Sequence, residues 1–198
     1  MMTTITTYSG EVVQDPPFVK WLMNNARAAW LWLPLRLWLG YKWIDSSLHK
    51  INNPAWVQGG EALKGFWTGA IAIPAQGRPP ITFDWYRSFI QSLLDASAYR
   101  WFAPLVAYGE LLVGIGLILG AFTGIAAFFG GFMNWNFMMA GSASSNPIFF
   151  IIAIGLILAW KVSGYIGLDY YLLPFFGTPW MKREREMARR SPAPAPGD

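Results

Sequence analysis

Between Arg100 and Gly141 runs a stretch of forty residues, Trp101 to Ala140, with one charged side chain, Glu110. As a single helix it would be about 60 Å long, roughly twice the hydrocarbon thickness of a bilayer. It must turn once, and the sequence LGAFTG offers the place: Gly120 can close one helix and Thr123 can cap the next. This predicts antiparallel spans over about 101–121 and 123–140. Composition agrees, because 54% of the 198 residues are hydrophobic and 13% are charged, where a soluble domain carries about 25% charge. With a mean hydropathy of +0.31, the chain reads as an integral membrane protein.

Two further apolar runs complete the pattern. AAWLWLPLRLWLGYKWIDSSLHK, about 28–50, is long enough to span, and Pro34 sits near its start, where a helix tolerates it best. SASSNP reads as a turn with Ser145 or Asn146 as N-cap and Pro147 in the first helical position, opening a fourth span over about 147–165. Residues 1–27 read as a polar, flexible tail without a secretory signal, 28–175 as a four-helix membrane domain, and 176–198 as a basic, partly disordered tail. In the long loop between the first two spans, Trp85, Phe89, Ile90, Leu93 and Leu94 recur at helical spacing. Trp56, Leu63, Phe66, Trp67 and Ala70 do so less cleanly. Two short amphipathic helices on the membrane surface are expected there, with a re-entrant span at 61–73 as the alternative. The fold class is therefore an all-α integral membrane protein, a four-helix transmembrane bundle with a long extracytoplasmic loop.

The Lys and Arg residues flanking the outer ends of the first and fourth spans number seven, against five dispersed through the long loop. The positive-inside rule then places both termini in the cytoplasm of a multi-pass plasma-membrane protein. The basic C-terminal segment reads as a topology signal rather than a nucleic-acid patch. The chain has no cysteine, so it has no disulfide, thiolate nucleophile, Cys-ligated cluster or CxxCH haem attachment. Redox chemistry would rest on a bound organic molecule, a partner or the substrate itself.

Ionisable groups inside spans are costly and usually face a partner, which singles out Arg36 and Glu110. Counting along antiparallel helices puts them within reach of each other, so an Arg36–Glu110 ion pair is expected. It would either form a polar pocket with Asn134 and Asn136 for an anionic or quinone-like ligand, or simply lock two helices together. His49 ends the first span as an interfacial residue or a proton acceptor near a redox site. Lys42, His49 and Lys50 could attract a small oxyanion. No metal-ligand spacing is present in the sequence. The small residues Gly114, Gly116, Gly120, Ala126 and Gly130 read as helix-packing positions.

These features together resemble the DoxX/DoxD family of small four-helix membrane proteins, which includes the membrane subunit of archaeal thiosulfate:quinone oxidoreductase. The resemblance rests on PLRLWLGYKWIDSSLHKINNPAW, GELLVGIGLILGAFTGIAAFFG, MNWNFMMAGSASSNP and AWKVSGYIGLDYYLLP. Arg36, Lys50 and Glu110 match recurring charged positions, while Gly124 stands where many members carry a basic residue. The resemblance implies a plasma-membrane location and, for one branch, electron transfer from thiosulfate to quinone with tetrathionate as product. In that branch the membrane subunit works with a second, smaller one. The expected function is such an oxidoreductase subunit, with quinone near Arg36, Glu110 and Trp43, and thiosulfate outside near His49 and Lys50. Its partners would be the bilayer, a second membrane or periplasmic subunit, and in some arrangements another copy of the chain. The alternative is a non-catalytic scaffold of a respiratory or photosynthetic complex.

Overall fold

The computed structural model describes residues 15–178, together with a two-residue antiparallel pairing of Ile5–Thr6 with Val12–Val13. The tail expected over 176–198 falls outside the described residues from 179 onward. Apart from that pairing the described chain is helical: α1 (Pro17–Asn24), α2 (Ala29–Ile51), α3 (Pro54–Val57), α4 (Glu61–Ile71), α5 (Asp84–Asp95), α6 (Tyr99–Leu119), α7 (Thr123–Met139), α8 (Asn146–Leu158), α9 (Trp160–Ser163) and α10 (Asp169–Phe175). The N-terminal tail differs from expectation, since α1 occupies part of it. Pro17 opens α1 at a first-turn position, and Trp32 Nε1 donates to Leu22 O at 3.0 Å, tying α1 to α2.

α2, α6, α7 and α8 pack into a bundle, with α2 most extensively on α6 and α7 on α8. Its core joins Trp32, Leu39 and Trp43 of α2 to Val113 and Leu117 of α6, Ala127 of α7, and Ala153 and Leu156 of α8. The α2–α6 crossing is close because glycines face each other. A Cβ on Gly114 would lie 2.9 Å from Gly40 O and 2.9 Å from Ile44 N, both backbone atoms that cannot give way. Among the described residues, one helix, α6, is long and apolar enough to cross a membrane by length and composition, and α8 is apolar but shorter. The expected fourth span is divided, α8 ending at Leu158 and α9 resuming at Trp160.

α4 and α5 pack together over one end of the bundle, where Leu63, Trp67, Ile81, Tyr86 and Ile90 form a second core with Tyr99, Ala103 and Ala140. α4 has 11 residues, about 16 Å of helix and too short to span. This cap is fixed by Tyr86, whose hydroxyl donates to Asn136 O at 3.1 Å and Asn136 Oδ1 at 3.0 Å.

At the opposite end the chain ties itself together through Arg36 and Asp169. Arg36 donates from Nη1 to Ser163 O at 2.9 Å and from Nη2 to Ile166 O at 2.8 Å. Gly120 closes α6 in the left-handed conformation (φ 63°) as expected, and the guanidinium lies against it where any Cβ would intrude. The cap of α7 differs from expectation. Thr123 is the first helical residue rather than the cap, and Asp169 caps from across the fold by accepting from Phe122 N at 2.6 Å and Thr123 N at 2.9 Å. Gly164 makes room, since a Cβ there would overlap the Asp169 carboxylate.

Two outcomes follow from these two ends. Asp169→Ala leaves two amide N–H groups without an acceptor and is expected to cost about 1–3 kcal/mol for each one left buried, measured as reversible unfolding in detergent. An unchanged unfolding midpoint would contradict the cross-fold cap. Burial pushes the Tyr86 phenol from 10.0 up to about 12. Its stabilising contribution is therefore complete below about pH 10 and is lost as pH rises through about 12. The wild type should lose stability relative to Tyr86→Phe across that interval, and parallel pH curves would count against the buried phenol.

Candidate functional site

Trp32 packs on Gly155 and Trp38 on Phe149, so α2 and α8 run antiparallel. The last turns of α2 thereby extend past the first turn of α8. The space this leaves is a cavity of about 810 Å³ on the capped side of the bundle. Its walls come from α2 (Trp38, Lys42, Trp43, Asp45, Ser46, His49, Lys50), the α3 region (Asn53, Trp56), α6 (Glu110), α7 (Asn134, Phe137) and the start of α8 (Ser145, Asn146, Ile148, Phe149).

Glu110 is wholly buried, and its partner is Lys50. Lys50 Nζ lies 2.7 Å from Glu110 Oε2, 3.0 Å from Oε1 and 2.7 Å from Ser46 Oγ. It also sits 5.3 Å from the centre of the Trp56 ring, which favours a cation on its face. The expected Arg36–Glu110 pair does not form. Side chains on a helix lean towards its N-terminus, so Lys50 at the end of α2 reaches back into the bundle. Arg36, in the first half of α2, reaches away from the cavity to Ser163 and Ile166. Arg36 is thus a fold-closing residue and does not line the cavity.

Of the other residues expected at a site, Lys42, Trp43, His49, Lys50, Glu110 and Asn134 all line the cavity, and Asn136 does not. Asn136 instead receives Tyr86 and donates from Nδ2 to Phe132 O at 2.8 Å. His49 stands at the mouth with 79% of its side chain exposed, its Nδ1 2.7 Å from Asp45 O and 3.7 Å from Asp45 Oδ1. Lys42 Nζ lies 5.7 Å from the centre of the Tyr41 ring. The two lining lysines are balanced by two lining carboxylates, Asp45 and Glu110.

Asn134 is the residue that most needs explaining. It is fully buried on the cavity wall, yet neither Nδ2 nor Oδ1 has a hydrogen-bond partner. Trp43 Nε1 is likewise buried without a partner. The two belong to one patch. Trp43 Nε1 lies 3.0 Å from where a Cβ on Gly130 would sit, and Gly130 is one helical turn before Asn134 on α7. Burying amide and indole groups without partners is costly, and here the two stand together on one wall of the cavity.

Sequence reading passed over Ser46, Trp56 and Phe137. The i,i+4 spacing of Ser46 and Lys50 was a local signal for the first. Trp56 and Phe137 reach the cavity only through tertiary packing. Among the described residues no group of three or more His, Asp or Glu is placed to hold a metal ion.

The DoxX family model matches residues 31–141. The chain belongs to the DoxX family. It is a membrane protein of that family, and the matched segment contains Lys50, Glu110, Trp43 and Asn134 but ends before Ser163, Ile166 and Asp169. No curated protein and no solved structure matches it.

The buried ion pair can be tested directly. Lys50→Met or Glu110→Leu alone strands one charge and is expected to cost about 3–5 kcal/mol of stability. The double variant should recover much of that, because no uncompensated charge remains. Additive losses in a double-mutant cycle would show that the two residues are not coupled.

Proposed function

We propose that this DoxX protein is a multi-pass plasma-membrane protein with α2, α6, α7 and the α8–α9 pair as its four spans. We infer that it serves as the membrane subunit of a quinone-linked oxidoreductase of the thiosulfate:quinone type. The spanning reading is supported by the outer faces of the bundle. Leu105, Leu112, Ile125, Phe128, Phe132, Ile151 and Leu158 are all large, apolar and more than half exposed, a surface that suits lipid rather than water. With both termini cytoplasmic, the α4–α5 cap and the cavity face outward.

The observation that carries the ligand reading is the unpartnered Asn134–Trp43 patch in an aromatic-walled cavity. A quinone is planar and apolar, with carbonyl oxygens that accept hydrogen bonds. Asn134 Nδ2 and Trp43 Nε1 are the donors for one such oxygen, and Trp38, Phe137 and Phe149 supply ring-sized apolar walls. Bound there, quinone would supply the two-electron acceptor: two thiosulfates each give up one electron as their S–S bond forms in tetrathionate, and two protons complete the quinol. The lysines and carboxylates lining the cavity balance, so it does not concentrate a dianion. We therefore assign thiosulfate to the mouth beside Lys42 and His49, or to a second, smaller partner subunit that meets this outer face.

The second reading, a non-catalytic scaffold of a larger membrane complex, is favoured by the exposed aromatics Phe83, Trp85, Phe89 and Trp101 around the cap. Thiosulfate-dependent reduction of a short-tailed quinone, measured on the gently extracted complex, separates the two. Asn134→Leu is expected to lower that rate at least tenfold in protein that remains folded. An unchanged rate in the variant, or a stable complex without the activity, would favour the scaffold.

A further inference from the structure

The hydrogen-bond inventory of the cavity wall goes one step beyond a site for a carbonyl. Asn134 offers both a donor, Nδ2, and an acceptor, Oδ1, and both are unmet. The donors beside Glu110 and at the mouth next to Asp45 are engaged. An ammonium has three N–H groups, and those of Lys50 face Glu110 Oε1, Glu110 Oε2 and Ser46 Oγ. His49 sits out at the mouth with its Nδ1 on Asp45 O. Trp43 Nε1 is unmet as well, but it reaches this patch from α2, beside Gly130 of α7, and is a donor only.

A carbonyl oxygen can accept from Asn134 Nδ2 and Trp43 Nε1, and it leaves Asn134 Oδ1 bare. A hydroxyl can accept and also donate to Oδ1, completing the patch. Sites built to bond a hydroxyl discriminate strongly against the partner that lacks it, because their own buried groups are then stranded. We propose that the Asn134–Trp43 patch distinguishes the redox forms of its ligand and holds the hydroxyl-bearing, reduced form more tightly than the carbonyl form. Asn134 is the discriminating residue, since of the two it alone supplies an acceptor. Trp43 contributes affinity to both forms. Tighter binding of the reduced form raises the reduction potential of the bound couple, a tenfold ratio being worth about 30 mV for two electrons. The cavity would thereby favour electrons entering the ligand.

This inference rests on the quinone reading above, and binding measurements separate the two. The intact protein in lipid nanodiscs is titrated anaerobically with a decyl-substituted benzoquinone and with the matching benzoquinol, each dissociation constant being read from Trp fluorescence quenching or calorimetry. The wild type is expected to bind the quinol at least tenfold more tightly. Asn134→Leu should bring the ratio close to one. Trp43→Phe should weaken both forms while keeping the ratio, and it serves also if Asn134→Leu does not fold. Equal affinities in the wild type, a preference for the quinone, a ratio that survives Asn134→Leu, or one abolished by Trp43→Phe would each overturn the proposal while leaving quinone binding intact. Binding of neither form would overturn the quinone reading, and this inference with it.

Discussion

Glu110 has no access to solvent, so its charge has to be met inside the bundle, and the lean of the side chains on α2 decides what meets it. A residue on the last turn of that helix points back into the protein, whereas one in the first half points out towards the other end. Lys50 and Arg36 therefore serve opposite ends of one helix. The first holds Glu110 at the floor of the cavity, and the second draws in the carbonyls of Ser163 and Ile166. The close glycine-lined contact between α2 and α6 keeps Glu110 within reach of Lys50. The cavity is what remains where α2 runs on beyond the start of α8.

The two ends of the bundle differ in how their polar groups are met. Around Arg36 and Asp169 both guanidinium Nη atoms and the carboxylate find partners in the chain, leaving Arg36 Nε and Thr123 Oγ1 unmet, and glycines leave no spare volume. Around Asn134 and Trp43 polar groups are buried and left unmet, beside a cavity large enough for a substantial organic molecule. Polar groups without partners are rare in folded proteins because they are expensive. Their grouping on one wall, opposite an ion pair that is itself satisfied, gives the capped end of the bundle its chemical character.

Much of the fold was legible in the sequence because its signals are local. The apolar runs and the punctuation at Gly120 and Pro147 place α2, α6, α7 and the start of α8 closely, while the break at Leu158 inside the expected fourth span went unread, and helical spacing around Trp67 and Trp85 places α4 and α5. α1 was missed because eight residues beginning at the second of two prolines resemble a polar tail until Trp32 and α9 are there to receive them. The cap of α7 could not be read locally, since its donor groups and the Asp169 carboxylate are far apart in the chain. The candidate site was half legible. Lys50, Glu110, Trp43 and Asn134 stand out as polar or aromatic groups at membrane depth, but pairing Glu110 with Arg36 treated depth along the helix as if side chains projected straight outward. Asn136 looked equivalent to Asn134, and only the docking of Tyr86 shows that the two amides face different neighbours.

The family-matched segment stops at residue 141, yet the start of α7 and the guanidinium of Arg36 are both completed by residues 163–169. During synthesis these atoms leave the ribosome last among the parts they join. Until then the first three long helices can pair while the α6–α7 turn lacks its cap and Arg36 lacks its carbonyls. Closure of the bundle is thus a late event in the biogenesis of the chain, and a nascent protein halted after the family segment holds an arginine with nothing yet made to receive it.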